Sequence, residues 1–293
     1  MIFQIAGCNL TVDDGGEMLE RLPNFAPFRV SDALSVSSVR DACAVRLGCS
    51  FPLCAAEPSF VSAPDGREIR VWFTPEYCQM SLQMPGETHA CHLQADRHWR
   101  QVQTDLGLHA PIDYGVLNDL LMLSFIYNAA FARVVLVHAS CIAIGDEGVA
   151  FIGPSGIGKS THSRLWLRYI PGTHLLNDDQ PAMRLCPDGT VMLYGTPWSG
   201  KTPCYRNEGV RLRTLFRMEQ ASENSIARLG GIAAFRMLLG ASSLMGRDGV
   251  TFAVISETLS QIAGLIPSFL LKNRPEEAAA RLSHATYSQC RTS

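Results

Sequence analysis

Eight residues, Gly153-Pro-Ser-Gly-Ile-Gly158-Lys159-Ser160, constrain this chain more than any other stretch. They fit the pattern G-x-x-x-x-G-K-[ST]. They follow the apolar run Gly148-Val-Ala-Phe-Ile152 and lead into Thr161-His-Ser-Arg-Leu-Trp-Leu-Arg-Tyr169. That order predicts strand, loop and helix. Glycines let such a loop curl so that its backbone N–H groups face phosphates. The lysine reaches the β and γ phosphates, the serine hydroxyl is a Mg²⁺ ligand, and the helix turns its positive end to the anion. The pattern therefore assigns ATP binding to Gly153, Pro154, Ser155, Gly156, Ile157, Gly158, Lys159, Ser160 and Thr161, with Mg²⁺ on Ser160.

The same pattern occurs twice. Gly195-Thr-Pro-Trp-Ser-Gly200-Lys201-Thr202 also fits, but it runs into Pro203 and then Cys-Tyr-Arg-Asn-Glu-Gly-Val. No helix is expected there, so the second match lacks the helix terminus that the chemistry needs. Lys201 is nevertheless one of only three lysines, beside Lys159 and Lys272, against 22 arginines. It is either a contact for substrate or for a transferred phosphoryl group, or a solvated residue in a structural turn.

A carboxylate pair follows the loop in the chain. The run His174-Leu-Leu-Asn177 ends in Asp178-Asp179. One Asp can hold Mg²⁺ and the other can take a proton from an attacking hydroxyl. Neighbouring strand residues point to opposite faces, so both reach one site only if the chain bends there. His138, inside Val-Leu-Val-His-Ala-Ser, is expected on the strand preceding the loop's strand.

A histidine-bearing apolar strand, a short turn, the loop and then an Asp pair: this order resembles the catalytic domain of the HPr kinase/phosphorylase family. That family is related through its nucleotide-binding core to phosphoenolpyruvate carboxykinases. The resemblance spans about residues 132–220. It implies an α/β fold, a P-loop kinase core of the HPr kinase/phosphoenolpyruvate carboxykinase type, behind a separate, mostly β N-terminal domain. It implies that Lys159 and Ser160 bind phosphates and Mg²⁺. Asp178 and Asp179 would supply the base and a metal contact, with His138 beside them. Asp178 is the preferred base and Asp179 the preferred metal ligand. The family's Glu-Ile-Arg-Gly-like signature is missing, and Gly195–Asn207 stands in its place with Lys201 and Arg206 as basic residues. The family's N-terminal domain is not recognisable either. An acceptor other than HPr is therefore expected: a hydroxyl on a protein, peptide or small molecule.

Length and composition set the surroundings. The 293 residues suit one or two domains. Short alternating runs (Ile2–Val12, Arg67–Thr74, Cys78–Met84) predict a mostly β domain over 1–110. Helical spacing over 113–131, with Asp113 as N-cap, opens the catalytic domain assigned to 111–293. Further helices are expected around 224–246 and 256–282. A net charge of -2 excludes a general nucleic-acid binder. The longest apolar stretch, 116–137, is broken by Asn118, Asp119, Asn128 and Arg133, so no membrane span is expected. Ten cysteines without a C-x-x-C, and an N-terminus without a charged leader, point to buried thiols in the cytoplasm. The resemblance also suggests a homo-oligomer.

Two function classes remain. One is a Mg²⁺/ATP-dependent kinase acting on a hydroxyl. The other is a nucleotide-binding regulator or scaffold without transfer. A GTPase is disfavoured because no lysine follows an Asn, as the guanine-reading N-K-x-D would require.

Overall fold

The alternating runs near the N-terminus become strands of one eight-stranded sheet. In chain order these are β1 (Ile2–Ile5), β2 (Cys8–Asp13), β3 (Ala42–Arg46), β4 (Phe60–Ser62), β5 (Glu68–Phe73), β6 (Tyr77–Gln83), β7 (Cys91–Asp96) and β8 (Gln101–Thr104). The computed structural model describes every residue except 14–16, 31–41, 64, 65, 87, 88, 245, 247, 292 and 293. It divides into two compact units, Met1–Ala132 with Met245–Phe252, and Arg133–Leu244 with Ala253–Ser293.

In the first unit the strand order is β1-β2-β3-β8-β7-β6-β5-β4. β3 runs parallel to both β2 and β8, while the other pairs are antiparallel. A short helix, α1 (Met18–Arg21), precedes the long α2 (Tyr114–Ala130). α2 forms where the 3.6-residue spacing predicts it, and Asp113 caps it by accepting from the amides of Gly115 (2.8 Å) and Val116 (3.1 Å). A boundary near 110 leaves this helix with the second domain, yet it belongs to the first unit. Tyr127 stacks on Trp99 with ring centroids 4.8 Å apart, and Asn128 donates to the carbonyl of His98. The returning segment is tied in by Asp248, 2% exposed, which pairs with Arg97 at 3.1 Å.

A mixed nine-stranded sheet makes the second unit. Its strands are β9 (Val134–Leu136), β10 (Ala139–Ile144), β11 (Glu147–Ile152), β12 (Thr173–Asn177), β13 (Ala182–Leu185), β14 (Val191–Tyr194), β15 (Gly209–Gln220), β16 (Ser225–Arg228) and β17 (Ser268–Asn273). The main path is β12-β10-β11-β15-β14-β13-β9, with β17 also on β15 and β16 on β17. The two apolar runs on either side of the short turn pair as β10 and β11, an antiparallel hairpin turning at Gly145 and Asp146. Parallel pairing is confined to β11–β15 and β15–β17. Four helices complete the unit or cross it: α3 (Lys159–Tyr169), α4 (Gly231–Ala241), α5 (Gly249–Leu265) and α6 (Glu277–Arg291). The helical stretches expected at 224–246 and 256–282 are thus interrupted by β16 and β17. A short apolar run such as Ser268-Phe-Leu-Leu-Lys-Asn273 reads equally as buried strand or helix, and pairing with β15 decides it.

α3 and α6 pack on the sheet over Phe151, Trp166, Phe216, Leu271 and Tyr287, all fully or almost fully buried. Phe151 meets Trp166 edge-on and Phe216 face-on, each with centroids 5.7 Å apart. Burying a ring of this size stabilises by about 2–3 kcal/mol. A buried polar clamp joins the two helices. Ser283 Oγ accepts from Trp166 Nε1 (2.8 Å), lies 2.9 Å from His162 Nε2, and donates to the carbonyls of its own helix. With Ser283's hydrogen used there, His162 must donate from Nε2, and its Nδ1 is buried without a partner. Burial accordingly pushes the His162 pKa down to about 4.

None of the ten cysteines is in a disulfide, and burial raises the thiol pKa of Cys78 and Cys91 to about 12. Among the described residues, no helix is long and apolar enough to cross a membrane.

Candidate active site

β11 ends at Ile152, and residues 153–158 curl from it into the first turn of α3. Gly158, at the N-cap, has φ 106°, a left-handed conformation that disfavours side chains. Gly156 has φ 79° and open space where a Cβ would lie. No side chain caps α3. The first amides of a helix have no carbonyl of their own helix to bond, so they are left to serve an anion.

Lys159 begins α3 and folds back over the loop. Its side chain is mostly buried, the residue being 7% exposed. The ammonium donates to the carbonyls of Gly153 (2.8 Å) and Pro154 (3.2 Å), and it lies 2.9 Å from His138 Nε2. An ammonium has three hydrogens and accepts nothing, so His138 Nε2 is the acceptor. The ring proton then sits on Nδ1, which lies 2.8 Å from Asp179 Oδ1. One line of hydrogen bonds thus joins Lys159 to His138 to Asp179. Burial lowers the Lys159 pKa, and the charges of Asp179 and Asp178 oppose that shift.

His138 is placed differently from the sequence expectation. It stands at a bend between β9 and β10 rather than inside a strand. Its amide donates to the carbonyl of Ala241. The bend turns the imidazole towards the loop.

The carboxylate pair also follows a bend, which Asn177 makes. Asn177 Oδ1 accepts from the amides of Asp179 and Gln180, both at 2.9 Å, and this turn ends β12. The two acids then separate. Asp178 Oδ1 accepts from Ser140 Oγ (2.6 Å), and Asp178 Oδ2 accepts from Thr202 Oγ1 (2.7 Å). Ser140 Oγ in turn lies 2.6 Å from Ser163 Oγ. Since Ser140's hydrogen goes to the carboxylate, Ser163 is the donor between the two hydroxyls. Ser163 sits on α3, three residues beyond Ser160.

The second pattern match borders this acid pair. Residues 195–207 form a coil without a helix. Asn177 Nδ2 donates to Thr196 Oγ1 (3.1 Å) and to the carbonyl of Trp198 (3.3 Å), binding the coil to the end of β12. A Cβ on Gly195 would lie 2.2 Å from the carbonyl oxygen of Arg206, so this glycine permits close backbone approach. Gly200 has φ 64°, and a Cβ there would lie 2.9 Å from that of Asp179. Lys201 and Arg206 are exposed, and no hydrogen bond among the described residues carries either side chain to the acid pair. Arg206 instead interacts with the Cys204 thiol.

The structure therefore brings together Lys159, His138, Asp179, Asp178 and the loop around Ser160. Sequence reasoning missed Ser140, Ser163, Asn177 and Thr202. Only Thr202 carried a signal, as the last residue of the second match. Among the described residues no three acidic, imidazole or thiol groups gather as a metal cage. Mg²⁺ in nucleotide sites takes one or two carboxylates plus phosphate oxygens. Ser160 with Asp178 or Asp179 fits that smaller donor set, and the uncapped start of α3 fits a polyphosphate.

No family model matches the chain, and no curated protein matches it. Among solved structures it is similar to the HPr(Ser) kinase/phosphatase from Coxiella burnetii at 14% identity and a TM-score of 0.34, over 54% of this chain and 90% of that one. At that TM-score the likeness says nothing of activity, which has to be read from the residues themselves.

Proposed function

We propose that this chain is a Mg²⁺/ATP-dependent kinase that transfers a phosphoryl group to a hydroxyl on a protein, peptide or small molecule. The observation that carries the reading is the hydrogen-bonded line Lys159–His138–Asp179, laid across the start of α3 with Asp178 beside it. A cation for phosphate, two carboxylates and an open helix terminus are the parts that phosphoryl transfer uses.

Residues Gly153–Thr161 and Lys159 bind the triphosphate. Ser160 and Asp179 hold Mg²⁺, which when bound neutralises charge on the phosphates. Asp178 is the base. Its two hydroxyl donors, Ser140 and Thr202, fix the orientation of the carboxylate. The acceptor oxygen bonds to the γ-phosphorus as the bond to the ADP oxygen breaks, and the acceptor's proton passes to Asp178. His138 holds Asp179 and Lys159 in register before nucleotide arrives. Lys201 and Arg206, exposed on the coil beside the acids, meet the acceptor or the transferred charge.

The test is γ-labelled ATP incubated with candidate peptides and with the products of neighbouring genes. Asp178→Asn should abolish label transfer, by on the order of 1,000-fold or more, while nucleotide binding persists. Full transfer in that variant removes Asp178 as base. Nucleotide binding by the unmodified protein without label on any acceptor favours the regulator reading instead.

A further inference from the structure

The second unit has another recess, at the opposite end of β11 from the phosphate loop. It is a cavity of about 620 Å³. The starts of β15 and β17, the ends of α5 and α6, and Arg228 at the end of β16 surround it. Glu147 starts β11 and Gly153 follows its end, so the strand's six residues set the two sites roughly 20 Å apart.

Three arginines line the recess, Arg211, Arg213 and Arg228, and among the described residues no Asp or Glu does. Arg211 and Arg213 both reach it from the start of β15, where the register with β11 shifts past Arg213. Arg213 is compensated. Its Nε bonds Glu147 Oε1 at 2.6 Å, and Tyr287 OH donates to the other oxygen of that carboxylate at 2.6 Å. Glu147 is 4% exposed, so this pair fixes the Arg213 side chain from below. Arg211 and Arg228 have no ion pair within 4.0 Å among the described residues. The nearby charge that Arg211 feels is the fully exposed Asp188, whose carboxyl is held below the usual range first by hydrogen bonds from Thr190 and only lastly by Arg211. The rest of the wall sets an apolar stretch, Leu265, Pro267 and Phe269, beside the polar Thr190 and Gln289.

Two planar cations without an ion pair, beside an apolar stretch of wall, recognise a particular chemistry. A guanidinium fork matches a phosphate or a carboxylate in two parallel hydrogen bonds. A recess of this volume takes a small organic molecule whose body lies on the apolar side and whose few polar groups fix its orientation. We propose that this recess binds a small organic dianion, a phosphate monoester or a dicarboxylate. Arg211 and Arg228 hold the charged end, and the apolar body lies against Leu265, Pro267 and Phe269. The site is independent of the kinase reading.

The experiment is calorimetric titration of the full chain with phenyl phosphate, with phthalate and with uncharged benzyl alcohol. One of the two anions should bind saturably at one site, and benzyl alcohol should not. Which anion binds tells a phosphate ester from a dicarboxylate. The double variant Arg211→Gln/Arg228→Gln should weaken that binding at least about tenfold. Lys159→Ala, which disables the phosphate loop, should leave it unchanged. Cys290 lines the recess, so the bound anion should also slow alkylation of its thiol, read by peptide mass spectrometry. Three results overturn the proposal: no saturable binding of either anion below about 10 mM, binding unchanged in the double arginine variant, or binding lost in Lys159→Ala. Unslowed alkylation of Cys290 under saturating anion overturns its placement in this recess.

Discussion

Residues 153–160 and 195–202 spell one pattern and build two different things. In the first, the glycines open a loop onto the bare start of α3, and the lysine folds back over it. In the second, Gly195 lets the backbone of Arg206 come close, Gly200 makes room for Asp179, and Lys201 points to solvent. Its threonine donates to Asp178. The pattern's letters therefore carry no chemistry alone. What separates the two loops is the helix that follows the first, and the packing that fixes that helix against α6.

The largest test of this contrast is a pair of lysine variants. On the proposed kinase reading, Lys159→Ala removes the cation that meets the phosphates and should weaken nucleotide binding by roughly 10- to 100-fold, whereas Lys201→Ala should change it less than about twofold. Equal losses in equilibrium titrations would erase the distinction. The next test reaches the helix anchor. Burial depresses the His162 pKa from 6.5 to about 4, so the folded protein resists a proton that the unfolded chain accepts. Stability is full above pH 6.5 and is lost as pH falls towards 4, by about 3 kcal/mol in total. Urea unfolding across that window should show the slope, and His162→Gln should flatten it.

Smaller effects belong to the second loop. Gly200→Ala combines left-handed backbone with a crowded Asp179 and should cost about 1–2 kcal/mol, seen as a lower Tm together with slower transfer. The same change at Gly156, where nothing crowds a Cβ, carries the backbone strain alone and should leave Asp179 undisturbed. Thr202→Val keeps the shape but removes the donor to Asp178. It should cost about 1 kcal/mol and reduce transfer with nucleotide affinity unchanged. An altered nucleotide Kd in Thr202→Val would merge the two loops into one phosphate site.

Much of this was legible in the sequence, for identifiable reasons. The pattern from Gly153 to Ser160 is contiguous, so its strand, loop and helix were legible, and the Asp pair stood out at the end of an apolar run. The hairpin of β10 and β11 was marked by its turn, and α2 by its spacing and by Asp113. Other parts were silent. Ser140 and Thr202 meet at Asp178 from distant places in the chain and Ser163 backs Ser140, yet a single serine carries no pattern and Thr202 showed only as the last letter of the second match. Asn177 makes the bend after β12, but its amide could have done many things until Thr196 and Trp198 fixed its other end. The parallel placement of β3 between β2 and β8 joins segments far apart in sequence, which short periodicity cannot report. Likewise β17 declared itself only through β15.

The way Lys159 is held has a consequence for selectivity. All three of its hydrogens are already engaged by the protein, so an incoming ligand gains only the difference between its own contacts and those it displaces. A single phosphate group offers little more than the two carbonyls and the imidazole already do. A triphosphate can engage the lysine and the open amides of α3 together. The resting site should therefore discriminate by phosphate number, ignoring abundant orthophosphate and yielding its lysine to the longer chain.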